Sequence, residues 1–374
     1  MIEYVSMNMG QKAKIDDTIG FYNPHKTFDD NFQNGPFRVE GLKPHKQTGK
    51  PKFKFLGYPI NSPFGIPAGS LPTSKHIKYA FETGFDVICY KTQRSGKFPV
   101  NDFPNVLYLD IDGDLTLDRA KKPLVGRETA GKSIDKVSIT NSFGNPSKGP
   151  EFWVDDLAKA LSYEKEGQLL IMSVVGTIRD GYSKEDYYDD FARAAKLAAS
   201  TGVKAIEVNL SCPNVASEGI LCYSKDAVVS VCKKAKEAIG DTPLIVKFGY
   251  FSESQQDLLE ATIADVDQYI AAISVINTIP AAVVDESGNQ ALPGEGRLMS
   301  GICGSSIKWA GLDMVHRLDN LRKNKGYTYE IIGVGGVMNV QDFKEYREAG
   351  SDIVQSCTGS MWNPGLAAEI KQTN

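Results

Sequence analysis

Beyond about Pro51 the chain alternates short apolar runs with longer stretches in which apolar residues recur at helical spacing. The runs are Phe64 to Gly69, Asp86 to Lys91, Leu169 to Val175, Ala205 to Leu210, Leu244 to Phe248, Ala272 to Asn277, Ile331 to Gly335 and Ile353 to Ser356. A strand that is apolar at nearly every position must be covered on both faces, which is the condition of a parallel sheet flanked by helices. The first intervening helix is predicted over Ser74 to Thr83. Eight βα units is the number that closes a barrel, so the pattern predicts an α/β chain folded as a (β/α)8 TIM barrel. An open doubly wound sheet would need a G-x-G-x-x-G fingerprint after its first strand, and Phe64 to Ser70 has none.

Three stretches break the alternation. Residues 1–52 are polar and proline-containing and are expected to form an N-terminal extension packed on a barrel of residues 53–374. Insertions of about 95–136 and 281–298 fall near the C-terminal mouth, where long loops serve as lids or interfaces. In the first, the alternation of Asp110 to Leu117 about Asp112-Gly113 predicts a solvated β-hairpin. Its Asp-x-Asp-Gly-Asp lacks the spacing and terminal glutamate of a calcium loop. Val137 to Ile139 reads as an irregular extra piece.

Composition narrows the chemistry. The 374 residues are 41% hydrophobic and 24% charged, ordinary for a globular protein, and the net charge of −4 gives no reason to expect a nucleic-acid partner. Met1 to Gly20 mixes charges with few apolar residues, so neither a signal peptide nor a membrane helix is expected there, and the chain reads as cytoplasmic. Cys89, Cys212, Cys222, Cys232, Cys303 and Cys357 form no C-x-x-C pair, and the histidines His25, His45, His76 and His316 form no ligand-spaced pair. No metal site is expected, which leaves the hard chemistry to an organic cofactor.

Polar groups collect where the apolar runs end: Lys91-Thr92, Asn141-Ser142, Asn209 to Asn214, Lys247 and Asn277-Thr278. In a barrel these ends form the catalytic mouth. The segment Asn209-Leu210-Ser211-Cys212-Pro213-Asn214 is the densest, with a thiol among two amides and a hydroxyl, followed by a proline that stops the strand. A cysteine beside a strand is usually a small buried hydrophobe; the polar neighbours favour a base or nucleophile instead. Lys91 and Lys247 stand inside apolar strands, where a charge needs a partner acid or an anionic ligand. Two such lysines suit a cofactor that becomes negative, as a reduced flavin does. Glycines at Gly301/Gly304, Gly335-Gly336 and Gly359 fall where late barrel loops hold phosphate.

The hexad Asn209 to Asn214, the element Asn141-Ser142-Phe143-Gly144 and the late glycine loops together resemble the dihydroorotate dehydrogenases, in particular the soluble class that uses cysteine as base. The resemblance implies a homodimeric FMN enzyme of pyrimidine biosynthesis that oxidises dihydroorotate to orotate. Matched position by position, it makes Cys212 the general base, with Ser211 orienting its thiol and Lys91 close to both substrate and flavin. It gives the substrate to Lys91, Asn141, Phe143, Gly144, Asn145, Asn209, Asn214, Asn277 and Thr278. FMN would be held by Ala68, Gly69, Lys91, Thr92, Asn141, Asn209, Lys247, Asn277 and Thr278, and at its phosphate and ring edge by Gly301, Gly304, Gly335, Gly336, Cys357, Thr358 and Gly359. Asn145 and Pro280 depart from the family pattern, which favours an apolar residue and a glycine there. The alternatives are a related flavin barrel acting on another dihydropyrimidine or cyclic amide, and a non-catalytic flavin-binding subunit.

Overall fold

The computed structural model describes residues 19–131, 133–211 and 221–373. Cys212 and Asn214 therefore lie outside the described residues. Eight strands form a closed parallel barrel: Phe64–Ile66, Val87–Gln93, Leu169–Val174, Ala205–Asn209, Leu244–Phe248, Ala272–Val275, Glu330–Val334 and Ile353–Gln355. Each pairs with the next in the chain, and the last pairs with the first. These are the eight runs that the apolar pattern marks.

Helices cover the outside of the barrel through their apolar stripes. In Lys184–Ala199, Ser183 accepts from the Asp186 N–H while Asp186 answers to the Ser183 N–H, a reciprocal cap that fixes where the helix begins. Tyr187, Phe191, Ala194, Ala195 and Ala198 then fall on one face at helical spacing and are buried. Phe191 is fully enclosed, so Phe191→Ala would cost about 3–5 kcal/mol through lost burial and the cavity left behind.

The barrel interior changes character along its axis. Its lower half is apolar, with Val87, Cys89, Ile171, Ala205 and Ile245 packed on Phe55 and Ile60. Those two residues belong to an antiparallel hairpin, Phe53–Phe55 with Tyr58–Ile60, that plugs the N-terminal end. The Leu56 N–H donates to Glu330 Oε2 at 2.5 Å and pins the plug. Continuing each inward-facing alternation brings Lys91, Ser173, Glu207, Lys247, Ser274 and Gln355 into the upper half, all of them buried. With the bottom sealed, the polar upper half opens only at the C-terminal mouth.

The insertions build a second sheet over that mouth. Tyr108–Leu109, Leu124–Arg127, Ser138–Asn141, Ile279–Val284 and Met299–Gly304 close into a small five-stranded barrel. Leu124 pairs with Val283 and Ile139 with Cys303, so the two insertions are stitched together across more than 150 positions of sequence. Val137 to Ile139, read as an irregular piece, leads into the strand of this sheet that ends at Asn141. The hairpin expected about Asp112-Gly113 is not formed. Instead Tyr108–Leu109 pairs with Leu124–Arg127, and the chain between them carries the short helix Leu117–Ala120 capped by Thr116. Leu115 is fully buried and its N–H bonds to Ser306 O, so the apolar residues there pack on the barrel and cannot alternate across a free hairpin.

Candidate functional site

The strand ends, the small sheet and the late loops enclose two adjoining clefts at the barrel mouth. The first is walled by Ala68, Gly69, Asn141, Lys247, Asn277, Thr278, Gly304, Gly335, Gly336, Cys357, Thr358 and Gly359. The second shares Gly69, Asn141, Cys357 and Thr358 and adds Lys91, Phe143 and an apolar end of Tyr22, Val106, Ile139 and Met361. A larger cleft of about 1000 Å³ lies by Asn61 and Asp86 at the plugged end. Its buried carboxylate is already ion-paired, Asp86 with Lys371 at 2.7 Å.

The two lysines face the mouth from different strands. Lys91 Nζ donates to Gly69 O at 3.1 Å and sits 4.9 Å above the ring of Phe143. Lys247 is 4% exposed, with Asn209 and Ser274 as its register neighbours on either side. Its ammonium forms no ion pair or hydrogen bond among the described residues. Thr278 Oγ1 and Gln355 Oε1 border the same cleft and have no hydrogen-bond partner among the described residues, nor does Ser274 Oγ on the neighbouring strand. A cation and several polar atoms at one barrel mouth fit a ligand with both anionic and hydrogen-bonding edges.

The late loops present backbone. Gly336 has φ +68°, and a Cβ there would stand 2.7 Å from Lys308 Cβ and 2.9 Å from Gly304 O. Only glycine lets these two loops approach so closely, which leaves main-chain groups as the lining. Gly301 and Thr92 are placed elsewhere. Gly301 is held in the small sheet opposite Asn141, and Thr92 Oγ1 is 3.0 Å from Ser173 Oγ between strands.

Amides cluster on the opposite side. Asn277 Nδ2 donates to Asn209 Oδ1 at 3.1 Å and to Ser211 O, joining the ends of the fourth and sixth barrel strands. Asn209 Oδ1 also accepts from the Ser211 N–H at 3.2 Å. Ser211 is buried against Gly249 and Cys222. Burial pushes the thiols of Cys222 and Cys303 up to about 12, and that of Cys89 up as well, so none of these three is a base near neutral pH.

Residues Asn141 to Asn145 run along the roof, where Asn141 and Phe143 line the clefts. The carbonyls of Ser142, Phe143, Gly144 and Asn145 all accept hydrogen bonds, Phe143 O from the Asn101 N–H at 3.1 Å and the others from side chains that include Arg297 and Arg94. In a planar trans peptide the C=O and the following N–H point opposite ways. The N–H groups of Phe143, Gly144 and Asn145 therefore point away from those donors, and none has a partner among the described residues. Gly144 and Asn145 lie at φ +79° and +50°, so two successive left-handed residues turn the roof. Asn145 is among the types that tolerate this conformation, which accounts for an asparagine where an apolar residue is expected. Tyr22, Arg94 and Arg297 are site neighbours with no signal in the sequence, since buried arginine and tyrosine look in sequence like surface ones.

Among the described residues no group of His, Cys, Asp and Glu could hold a metal ion, and no helix is long and apolar enough to cross a membrane. The family profile described as Dihydroorotate dehydrogenase matches residues 121–373. A Dictyostelium discoideum protein named Dihydroorotate dehydrogenase is 35% identical over 94% of this chain and 97% of its own length. A Petrotoga mobilis protein named Dihydroorotate dehydrogenase B (NAD(+)), catalytic subunit, is 29% identical over 67% of this chain and 78% of its own length. Its counterpart from Caldicellulosiruptor bescii is 32% identical over 63% and 71%.

Proposed function

Because the chain belongs to the dihydroorotate dehydrogenase family, we propose that it oxidises dihydroorotate to orotate in pyrimidine synthesis, with FMN as its cofactor. The observation that carries this reading is the pairing of an amide cluster, Asn209 with Asn277, with three unpartnered N–H groups on the roof, Phe143, Gly144 and Asn145. Amides offer both donor and acceptor and so complement the alternating N–H and C=O edge of a dihydropyrimidine ring. The three N–H groups complement its carboxylate.

FMN fits the remaining wall. The backbone of Gly304, Gly335-Gly336 and Cys357 to Gly359 would hold its phosphate, and Ala68, Gly69, Asn141 and Lys247 would hold its ring system. FMN, when bound, would supply the acceptor for the hydride that leaves the substrate ring. Lys247 supplies a positive charge beside the ring edge that becomes negative, and Lys91 supplies a second near the substrate. Cys212, one residue beyond Ser211 at the end of the fourth strand, removes the ring proton. Of the six cysteines it is the one with an amide on either side in sequence, Asn209 and Asn214. Asn277 holds Asn209 and the Ser211 carbonyl, and thereby fixes the chain up to Ser211, the residue that precedes Cys212 in sequence.

The test is product formation. FMN-loaded protein with an artificial electron acceptor should convert dihydroorotate to orotate, and dihydrouracil, which lacks the carboxylate, should be a poor substrate. Equal turnover of dihydrouracil would favour the reading as an enzyme of another dihydropyrimidine, and loss of flavin binding would remove both. A homodimer in the cytoplasm is the assembly and compartment that accompany this reading, and sedimentation checks the first.

A further inference from the structure

We propose that Arg297, carried by the inserted segment between the sixth barrel strand and its helix, is a positioning residue that sets the affinity of the site for the substrate carboxylate. The inference rests on the dihydroorotate reading above. Arg297 is 9% exposed, and its guanidinium is bonded to main-chain and hydroxyl oxygens. Nη1 donates to Asp102 O at 2.7 Å and Pro293 O at 2.5 Å, and Nη2 donates to Ser142 O and Ser142 Oγ, both at 3.0 Å. No carboxylate lies within ion-pair distance among the described residues. A buried charge held this way keeps its desolvation cost without the return of an ion pair, and an apolar side chain would fill the space more cheaply.

What the charge provides is direction. By holding Ser142 O, which also accepts from Asn101 Nδ2 at 3.3 Å and Asn105 Nδ2 at 3.2 Å, it helps fix the plane of the peptide that ends in the Phe143 N–H, turns that N–H away from itself, and adds the one charge among the three donors. Arg94 does the same at the other end through Nη2 to Gly144 O at 3.4 Å, whose peptide ends in the Asn145 N–H, and its Nε anchors Asn145 O at 2.9 Å ahead of Pro146. The roof amides are thus oriented from behind by two cations at their carbonyl ends. A cation on the C=O side also polarises the peptide, so the N–H on the far side binds an anion more strongly. Arg297 further ties the first insertion, through Asp102 and Pro104, to the second, which makes substrate affinity a property of the inserted sheet.

The experiment compares orotate with uracil, which presents the same ring edge without the carboxylate, in FMN-loaded wild type and R297M, following the flavin spectrum on titration. R297M should lower orotate affinity by about 10-fold or more and leave uracil affinity within about 2-fold, the loss expected when a charge-assisted bond no longer orders the anion site. Turnover should follow in KM for dihydroorotate rather than in kcat. An orotate affinity that does not change, or equal losses for orotate and uracil, would overturn the proposal. Wild type that ignores orotate would instead overturn the dihydroorotate reading. Should R297M fail to hold FMN, R297K is judged by the same ratio: a lysine cannot span Ser142 and Pro293 together, so a selective loss for orotate supports the proposal and a uniform one refutes it.

Discussion

Replacing Lys247 by methionine separates what that residue does for the fold from what it does for the cofactor. Lys247 lies on the fifth barrel strand, 4% exposed, between Asn209 and Ser274. Glu207, on the adjoining strand, is too far for an ion pair and bonds instead to Ser173 at 2.8 Å. Methionine matches the length of lysine and removes the charge. The apoprotein should gain stability, because exchanging a poorly compensated buried charge for an apolar side chain returns about 1–4 kcal/mol. FMN should bind less well, because a hydrogen bond to a charged group contributes about 1.5–3 kcal/mol, or about 10- to 150-fold in Kd. Urea unfolding of the apoprotein and quenching of FMN fluorescence on titration read the two quantities independently. Opposite signs are expected. A K247M variant that is less stable as apoprotein, or that binds FMN with unchanged affinity, would refute the assignment of this lysine to the flavin.

The remaining predictions concern the base, its support and one buried histidine. Cys212→Ala should retain FMN and slow its reduction by dihydroorotate about 100-fold or more in stopped flow, the scale of a lost general base; wild-type rates would assign the proton to another group. Asn277→Ala, which removes the bonds to Asn209 and the Ser211 carbonyl, should raise KM for dihydroorotate about 10-fold in FMN-saturated enzyme; a normal KM would remove Asn277 from the substrate site. Burial, assisted by Lys75, lowers the pKa of His76 to about 3 in the folded chain, whereas the unfolded chain takes up the proton near 6.5. Its contribution is therefore intact above pH 6.5 and is lost as pH falls toward 3, at about 1.4 kcal/mol per pH unit. Denaturation at pH 7 and pH 5 should show a shallower decline for His76→Gln than for wild type, and equal declines would mean that another group governs acid stability.

The barrel was legible because each of its strands is buried on both faces, and a run such as Leu244-Ile245-Val246 carries that condition in its composition. The small sheet was not, because its strands exist only through distant partners: Tyr108–Leu109 needs Ile139 and Arg127, and Leu124 needs Val283. Nothing local to Asp110 to Leu117 distinguishes a free hairpin from a loop whose leucine is buried under a helix. Site residues at strand ends, such as Lys91, Asn141, Lys247 and Asn277, could be placed from sequence because the strand fixes where its end points. Gly301 looked like a phosphate-loop glycine, yet its place in the ladder opposite Asn141 depends on pairing that no spacing reveals. Arg94 and Arg297 left no mark in the sequence, since only burial distinguishes an arginine that holds four carbonyls from one in water.

In the function proposed above, this barrel passes a hydride from dihydroorotate to a bound flavin. Its most direct test is to add dihydroorotate without oxygen to FMN-loaded protein and watch the visible flavin band. The band should bleach as one equivalent of orotate forms per flavin. A yellow protein whose spectrum does not respond would contradict it.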